Sequence, residues 1–175
     1  MLPPRRLFAV AAALLVLPAG ALCAQGTPPA GCRTPSHRAF DFWLGEWEVR
    51  TPQGAVAGTS RITSILDGCV IHEAWSGTGG SVGESFNIFD ATAKRWHQTW
   101  VDNQGMLAQF DGARAPDGAM VMEGPARGPA GEPARSRMSF TPLTDGRVRQ
   151  LWELSIDGGT TWRTTFDGYY TRRAP

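Results

Sequence analysis

Phe40-Asp41-Phe42-Trp43-Leu44-Gly45-Glu46-Trp47-Glu48-Val49-Arg50 sets the architecture of this chain. It follows closely on an apolar leader and carries Gly45-Glu46-Trp47 where a first strand is expected. From Trp43 onward the chain breaks into short runs separated by turn residues. The candidate strands are Trp43–Arg50, Gly58–Leu66, Val70–Gly77, Glu84–Phe89, Trp96–Asp102, Met106–Asp111, Ala119–Glu123, Arg135–Thr141, Arg147–Ser155 and Trp162–Tyr170. Their connectors hold turn chemistry, as in Asn103-Gln104-Gly105, Pro116-Asp117-Gly118 and Asp145-Gly146. About ten strands with short links predict an all-β domain over residues 40–173, a single antiparallel up-and-down barrel. Closure removes the edge strands an open sheet would expose. Gly124 to Pro133 holds no core-forming residue and reads as a flexible surface loop, and Ser36–Phe42 as the one short helical turn.

The leader has the pattern of a signal peptide over residues 1–24. Arg5 and Arg6 form a positive n-region, Leu7 to Leu17 an apolar h-region, and small residues follow up to Ala24. The apolar run is short for a membrane span and Pro18 breaks it. Export to the periplasm or beyond is therefore expected, with no membrane attachment after cleavage. Cys23 raises lipidation as an alternative, but Leu22 before it departs from the small residue expected there. The chain carries a formal net charge of +1, which falls to −1 without Arg5 and Arg6. That balance leaves no electrostatic footprint for nucleic acid. No dense basic cluster marks a membrane surface, and nothing sets an oligomeric state.

Gln25 to Arg38 is rich in Pro, Gly and Thr, and residues 25–39 read as a flexible arm. Cys32 in that arm and Cys69 in the barrel remain after cleavage. Two cysteines in an oxidising compartment favour one disulfide over two free thiols. It would close a loop of roughly 36 residues, worth ~3–4 kcal/mol in the chain-entropy picture.

Gly45-Glu46-Trp47 on the first strand is similar to the Gly-x-Trp of the calycin group of lipocalins, fatty-acid-binding proteins, avidins and nitrobindins. Phe-Asp-Phe-Trp-Leu-Gly-Glu-Trp (40–47), Gly-Cys-Val-Ile-His-Glu-Ala-Trp (68–75), Trp-His-Gln-Thr-Trp-Val-Asp (96–102) and Arg-Gln-Leu-Trp-Glu-Leu-Ser (149–155) together resemble a family of exported bacterial proteins of unknown function. The resemblance spans nearly all of the chain after the leader. It implies a calycin-like, lipocalin-like barrel in which the Trp of Gly-x-Trp plugs one end. It also implies a basic residue from the last strand across that Trp, here Arg172 or Arg173. It implies no activity.

Alternation divides each strand between two faces. Glu73 shares a face with Ile71 and Trp75, Ser85 with Asn87 and Phe89, Gln98 with Trp96 and Trp100, and Gln150 with Trp152 and Leu154. If these faces point inward, the candidate ligand-binding set is Glu73, Trp75, Ser85, Asn87, Trp96, Gln98, Trp100, Gln150 and Trp152. Apolar walls with a few fixed polar groups suit a small molecule. The alternative is a solid core whose polar groups satisfy one another. Glu73 is the best candidate for a catalytic carboxylate, since burial would raise its pKa. Pairing with an arginine such as Arg149 would make it structural. Glu153 falls on the solvent side or in an ion pair.

Other motifs are discounted on physical grounds. His72 and His97 fall opposite the tryptophan faces, and two histidines with two cysteines at irregular spacing make no zinc signature, so no metal is expected. A haem would need an inward axial His, and no His follows His97, so no cofactor is expected. Gly79-Gly80-Ser81-Val82-Gly83 spells Gly-x-Ser-x-Gly but links two strands with no helix after it, and reads as a flexible loop at the barrel mouth. Ser155-Ile156-Asp157-Gly158-Gly159-Thr160-Thr161-Trp162 fits the Asp-box hairpin, a turn device when it occurs singly.

Three functions remain. The first is a binding barrel for a small, partly apolar molecule, its mouth gated at Gly77–Gly83. The second is an enzyme on the same scaffold with Glu73 as general acid or base. The third is a packed interaction module, which needs an exposed apolar patch that is not legible in the sequence.

Overall fold

The computed structural model describes residues 31–173. The expected signal peptide and the first residues of the arm lie outside the described residues. Ten antiparallel strands follow one another: β1 (Gly45–Arg50), β2 (Val56–Ile65), β3 (Val70–Gly77), β4 (Val82–Asp90), β5 (Arg95–Asp102), β6 (Leu107–Arg114), β7 (Met120–Arg127), β8 (Pro133–Pro142), β9 (Val148–Ser155) and β10 (Arg163–Arg172). Each pairs with the next, and β1 pairs with β10 to close the barrel. The up-and-down barrel read from the turn spacing is thus the fold. Its links turn as their composition dictates. Gly118 takes φ +88, open to glycine at no steric cost, and its N–H donates to the Ala115 carbonyl at 2.9 Å.

The two ends of the barrel differ. At one end Phe40, Trp43, Trp47, Trp96 and Phe140 are buried in a solid plug. Trp43 lies 5.1 Å from Phe40 and 4.4 Å from Phe140 between ring centroids, and the Trp47 indole N–H donates to the Trp43 carbonyl at 2.9 Å. Arg172, opposite Trp47 in the β1–β10 pair, sets its guanidinium 4.4 Å from the Trp47 ring centroid. Of the two arginines offered for that place, Arg172 takes it. Arg172→Ala is expected to lower stability by ~0.5–1 kcal/mol, the worth of an exposed cation–π contact, as read by a thermal melt.

The described part of the arm is tied down, contrary to its loose composition. Cys32 is disulfide-bonded to Cys69. The Ser36 carbonyl accepts the Trp96 indole N–H at 3.1 Å, and His37 sets its ring edge-on to Phe89. The helical turn expected over Ser36–Phe42 is a series of turns ending in a 3-10 turn over Asp41–Trp43. Its buried aromatics act as a stopper, which a composition dominated by Pro, Gly and Thr does not reveal.

The Gly124–Pro133 stretch also departs from expectation. β7 runs on to Arg127 and stays paired with β8 as far as Pro133. Its ladder to β6 ends at the Asp111–Glu123 pair, so Pro125 stands beyond that ladder and its missing N–H breaks no bond there. Gly124 lies so close to the Gln109 carbonyl that a Cβ would collide with it.

Exposed apolar side chains do occur on the outer wall, where the sequence suggested none. Val82, Phe86 and Ile88 of β4, Val101 of β5 and Leu107 of β6 are exposed, and of these Val101 and Leu107 stand directly opposite each other. Glu84 and His97 interrupt them. Among the described residues no helix is long and apolar enough to cross a membrane.

Candidate functional site

The end opposite the plug is open. A cavity of about 980 Å³ enters the barrel there, with Trp75, Trp100, Trp152 and Phe166 among its walls and Glu73, Gln98, Gln150 and Tyr170 among its polar side chains. Both sequence alternatives hold, each for half the barrel: one end is packed and the other hollow. Trp75, Trp100 and Trp152 are half-buried and border this space.

The inward faces follow the period-two reading, and register brings their polar residues together. Glu73 stands opposite Ser85 between β3 and β4, and Asn87 opposite Gln98 between β4 and β5. Glu73 Oε1 accepts from Ser60 Oγ at 2.8 Å and from the Tyr170 hydroxyl at 3.4 Å, and Oε2 accepts from Ser85 Oγ at 3.0 Å. Asn87 Nδ2 donates to Ser85 Oγ at 3.0 Å, and Gln98 Nε2 donates to Asn87 Oδ1 at 2.7 Å. The single Tyr170 hydroxyl proton is shared between Glu73 Oε1 and Gln150 Oε1, with Gln150 Oε1 the nearer at 2.5 Å. One connected network thus joins six strands, β2 to β5 with β9 and β10, at the bottom of the cavity.

Burial dominates the electrostatics of Glu73. It pushes the carboxyl up to about 7, against the opposing pull of hydrogen bonds from Ser60, Ser85 and Tyr170 and of the His72 charge. Burial likewise raises the Tyr170 phenol well above its ordinary value, helped by the neighbouring carboxylate. One polar atom at the cavity has no partner: Gln98 is 1% exposed and its Oε1 accepts nothing. Burying an unmatched acceptor costs free energy that a bound donor would recover.

Of the nine residues proposed from the sequence, Glu73, Trp75, Gln98, Trp100, Gln150 and Trp152 border the cavity. Ser85, Asn87 and Trp96 do not. Ser85 and Asn87 face inward but lie behind Glu73 and Gln98, fully buried and bonded to them. Trp96 belongs to the plug, because the arm docks over its end of β5. The suggested Glu73–Arg149 pair does not form. Arg149 is on the outer face, 2.8 Å from Asp167, and Glu153 pairs there with Arg137 at 2.8 Å. Sequence reasoning missed Ser60 and Tyr170, which hold the carboxylate, and Phe166. Alternation through Gly58-Thr59-Ser60-Arg61-Ile62 and Gly168-Tyr169-Tyr170 offered a signal for the first two. A register shift between Thr164 and Phe166 hides the third.

Of the discounted motifs only the Gly-x-Ser-x-Gly turn reaches the site, where Ser81 borders the cavity mouth. His72 bonds Glu84 at 2.9 Å and His97 bonds Asp111 at 2.9 Å, both on the outer wall. Among the described residues no group of three His, Cys, Asp or Glu is placed to hold a metal. Ser81 sits in the β3–β4 turn, where its Oγ accepts the Trp75 indole N–H at 3.3 Å. That turn is not loose: Asn103 Nδ2 donates to the Gly80 carbonyl at 3.0 Å, and Asn103 Oδ1 accepts the Val82 amide at 3.0 Å. In the Asp-box hairpin Asp157 takes the Thr161 hydroxyl and the Thr160 and Thr161 amides, which hold its carboxyl well below the ordinary range. Gly158 and Gly159, at φ +73 and +100, make the turn. Arg137 covers Trp162 beneath it at 4.1 Å. The chain matches no protein-family model and no curated protein sequence.

Proposed function

We propose that the protein is an exported small-molecule-binding barrel that holds a partly apolar ligand in its tryptophan-lined lumen. The observation that carries this reading is the unpartnered Gln98 Oε1 at the wall of a cavity of about 980 Å³. Aromatic walls with a few fixed polar groups are what ligand sites use. The leader pattern and the Cys32–Cys69 bond support a periplasmic or secreted location. The Gly-x-Trp plug with Arg172 across it supports the calycin resemblance.

Native mass spectrometry of protein purified from the periplasm, beside a denatured control, tests this. A mass excess that vanishes on denaturation is the expected result. A bare protein from every preparation, with no change in indole emission on adding candidate ligands, would remove the reading. Gln98→Leu is expected to weaken the retained ligand about tenfold, the worth of one hydrogen bond to a buried acceptor, as read by fluorescence titration.

One observation favours a second reading, an enzyme on this barrel. A carboxyl that titrates near 7 beside a phenol suits general acid–base chemistry. It expects wild type to convert the retained ligand and Glu73→Gln to leave it unchanged.

A further inference from the structure

The lumen has a polarity of its own. Among the described residues bordering the cavity, only Glu73 is acidic and only Arg127 is basic. Arg127 is exposed at the mouth, at the end of β7, with its guanidinium donating to the Gly131 carbonyl. No cation therefore bonds Glu73: its three partners, Ser60, Ser85 and Tyr170, are neutral hydroxyls. A buried carboxylate is ordinarily matched by an opposite charge.

Hydrogen-bond direction points the same way. Gln98 Nε2 and the Tyr170 hydroxyl donate within the protein, and Gln150 Nε2 rests on Met138 Sδ at 3.0 Å. The atom among them left without a partner is an acceptor, Gln98 Oε1, and the Glu73 carboxylate beside it is met by neutral donors alone. The unmatched need is for a charged donor, although each glutamine amide keeps a second N–H. A ligand carboxylate or phosphate would meet like charge and lone pairs. An ammonium brings three N–H donors and the missing charge. The walls add to this, since indole and phenyl faces attract cations.

We infer that the lumen selects organic amines, with a cationic nitrogen seated at Glu73 and Gln98 and an apolar body along the tryptophan walls. This rests on the ligand-binding reading above and names the ligand class.

Binding should then be linked to pH. The inner faces of β2, β4, β9 and β10 present Ser60, Ser85, Gln150 and Tyr170 to Glu73, and of these only Tyr170 titrates, well above neutrality. His72 acts from the outer side of β3, where it is paired with Glu84. An amine requires the ionised Glu73, so protons compete with it below about pH 7.

The test uses three probes with one apolar body: pyrenebutylamine, pyrenebutanol and pyrenebutyrate, titrated by energy transfer from the tryptophans. At about pH 8 the amine is expected to bind at least about tenfold tighter than the alcohol, with the carboxylate weakest. Between about pH 8 and about pH 6 the amine should lose about tenfold in affinity and the alcohol almost nothing. Glu73→Gln should erase the preference of amine over alcohol, and His72→Gln should leave the pH dependence in place. The pH comparison is made on the unaltered protein, so it stands even if Glu73→Gln fails to fold. Equal binding of the three probes, or a tightest carboxylate, would overturn amine selectivity while leaving a ligand-binding lumen. Binding of none of them would overturn both.

Discussion

Trp43→Ala is expected to lower the stability of the barrel by about 3–5 kcal/mol, the cost of deleting a large buried aromatic side chain. Trp43 is fully buried, with Phe40 stacked on it, Phe140 at 4.4 Å and Tyr170 at 6.0 Å between ring centroids. Each neighbour is itself anchored, Phe140 on β8 and Tyr170 on β10, so the space left by the indole has little means of collapsing. The loss adds a cavity term to the lost burial. Urea unfolding measures it, with an unchanged slope showing that the exposed surface is the same. A loss below about 1 kcal/mol would contradict a packed plug. Tyr170 touches the plug with its ring and Glu73 with its hydroxyl. Ligand affinity in this variant therefore reports whether the plug positions the carboxylate.

Replacing Glu73 should reshape the dependence of stability on pH. Its carboxyl titrates at about 7 in the folded protein against 4.5 for the free group. The folded state therefore binds more protons than the unfolded chain across that interval. Stability from this group is fully present below about 4.5, falls as pH rises, and is lost by about 7. The whole change amounts to about 3 kcal/mol, and because the group is fully buried no solvent screening reduces it. Glu73→Gln has no such proton to lose. The stability of wild type minus that of the variant should accordingly drop by about 3 kcal/mol between about pH 4 and about pH 8. A difference that stays flat across this range would mean that Glu73 is not desolvated as its surroundings indicate. Taking the difference cancels the pH dependence of groups that do not interact with Glu73, which both proteins share.

How much of the site was legible depended on what kind of contact defined it. Glu73, Gln98 and Gln150 came from alternation, because a strand sends every second side chain to the same face regardless of its neighbours. Trp75, Trp100 and Trp152 came the same way. Trp96 obeyed the same period and still fell outside the cavity, because depth along the barrel axis is not a property of a single strand. The Glu73–Arg149 pair failed for a simpler reason: Arg149 neighbours Gln150, and if one of them points inward the other points out. Tyr170 and Ser60 lie far from Glu73 along the chain, and only the closure of β10 and the pairing of β2 with β3 bring them to it.

The sequence by itself determined the barrel, most of its strands and turns, the inward faces, and two cysteines able to join. These follow from local chemistry: period two and glycine turns. Only the tertiary structure decided that one end is solid and the other hollow. Strand register and the docking of Phe40 and Trp43 set that division, and both depend on contacts between segments distant in sequence. The same contacts left Glu73 buried without a countercharge.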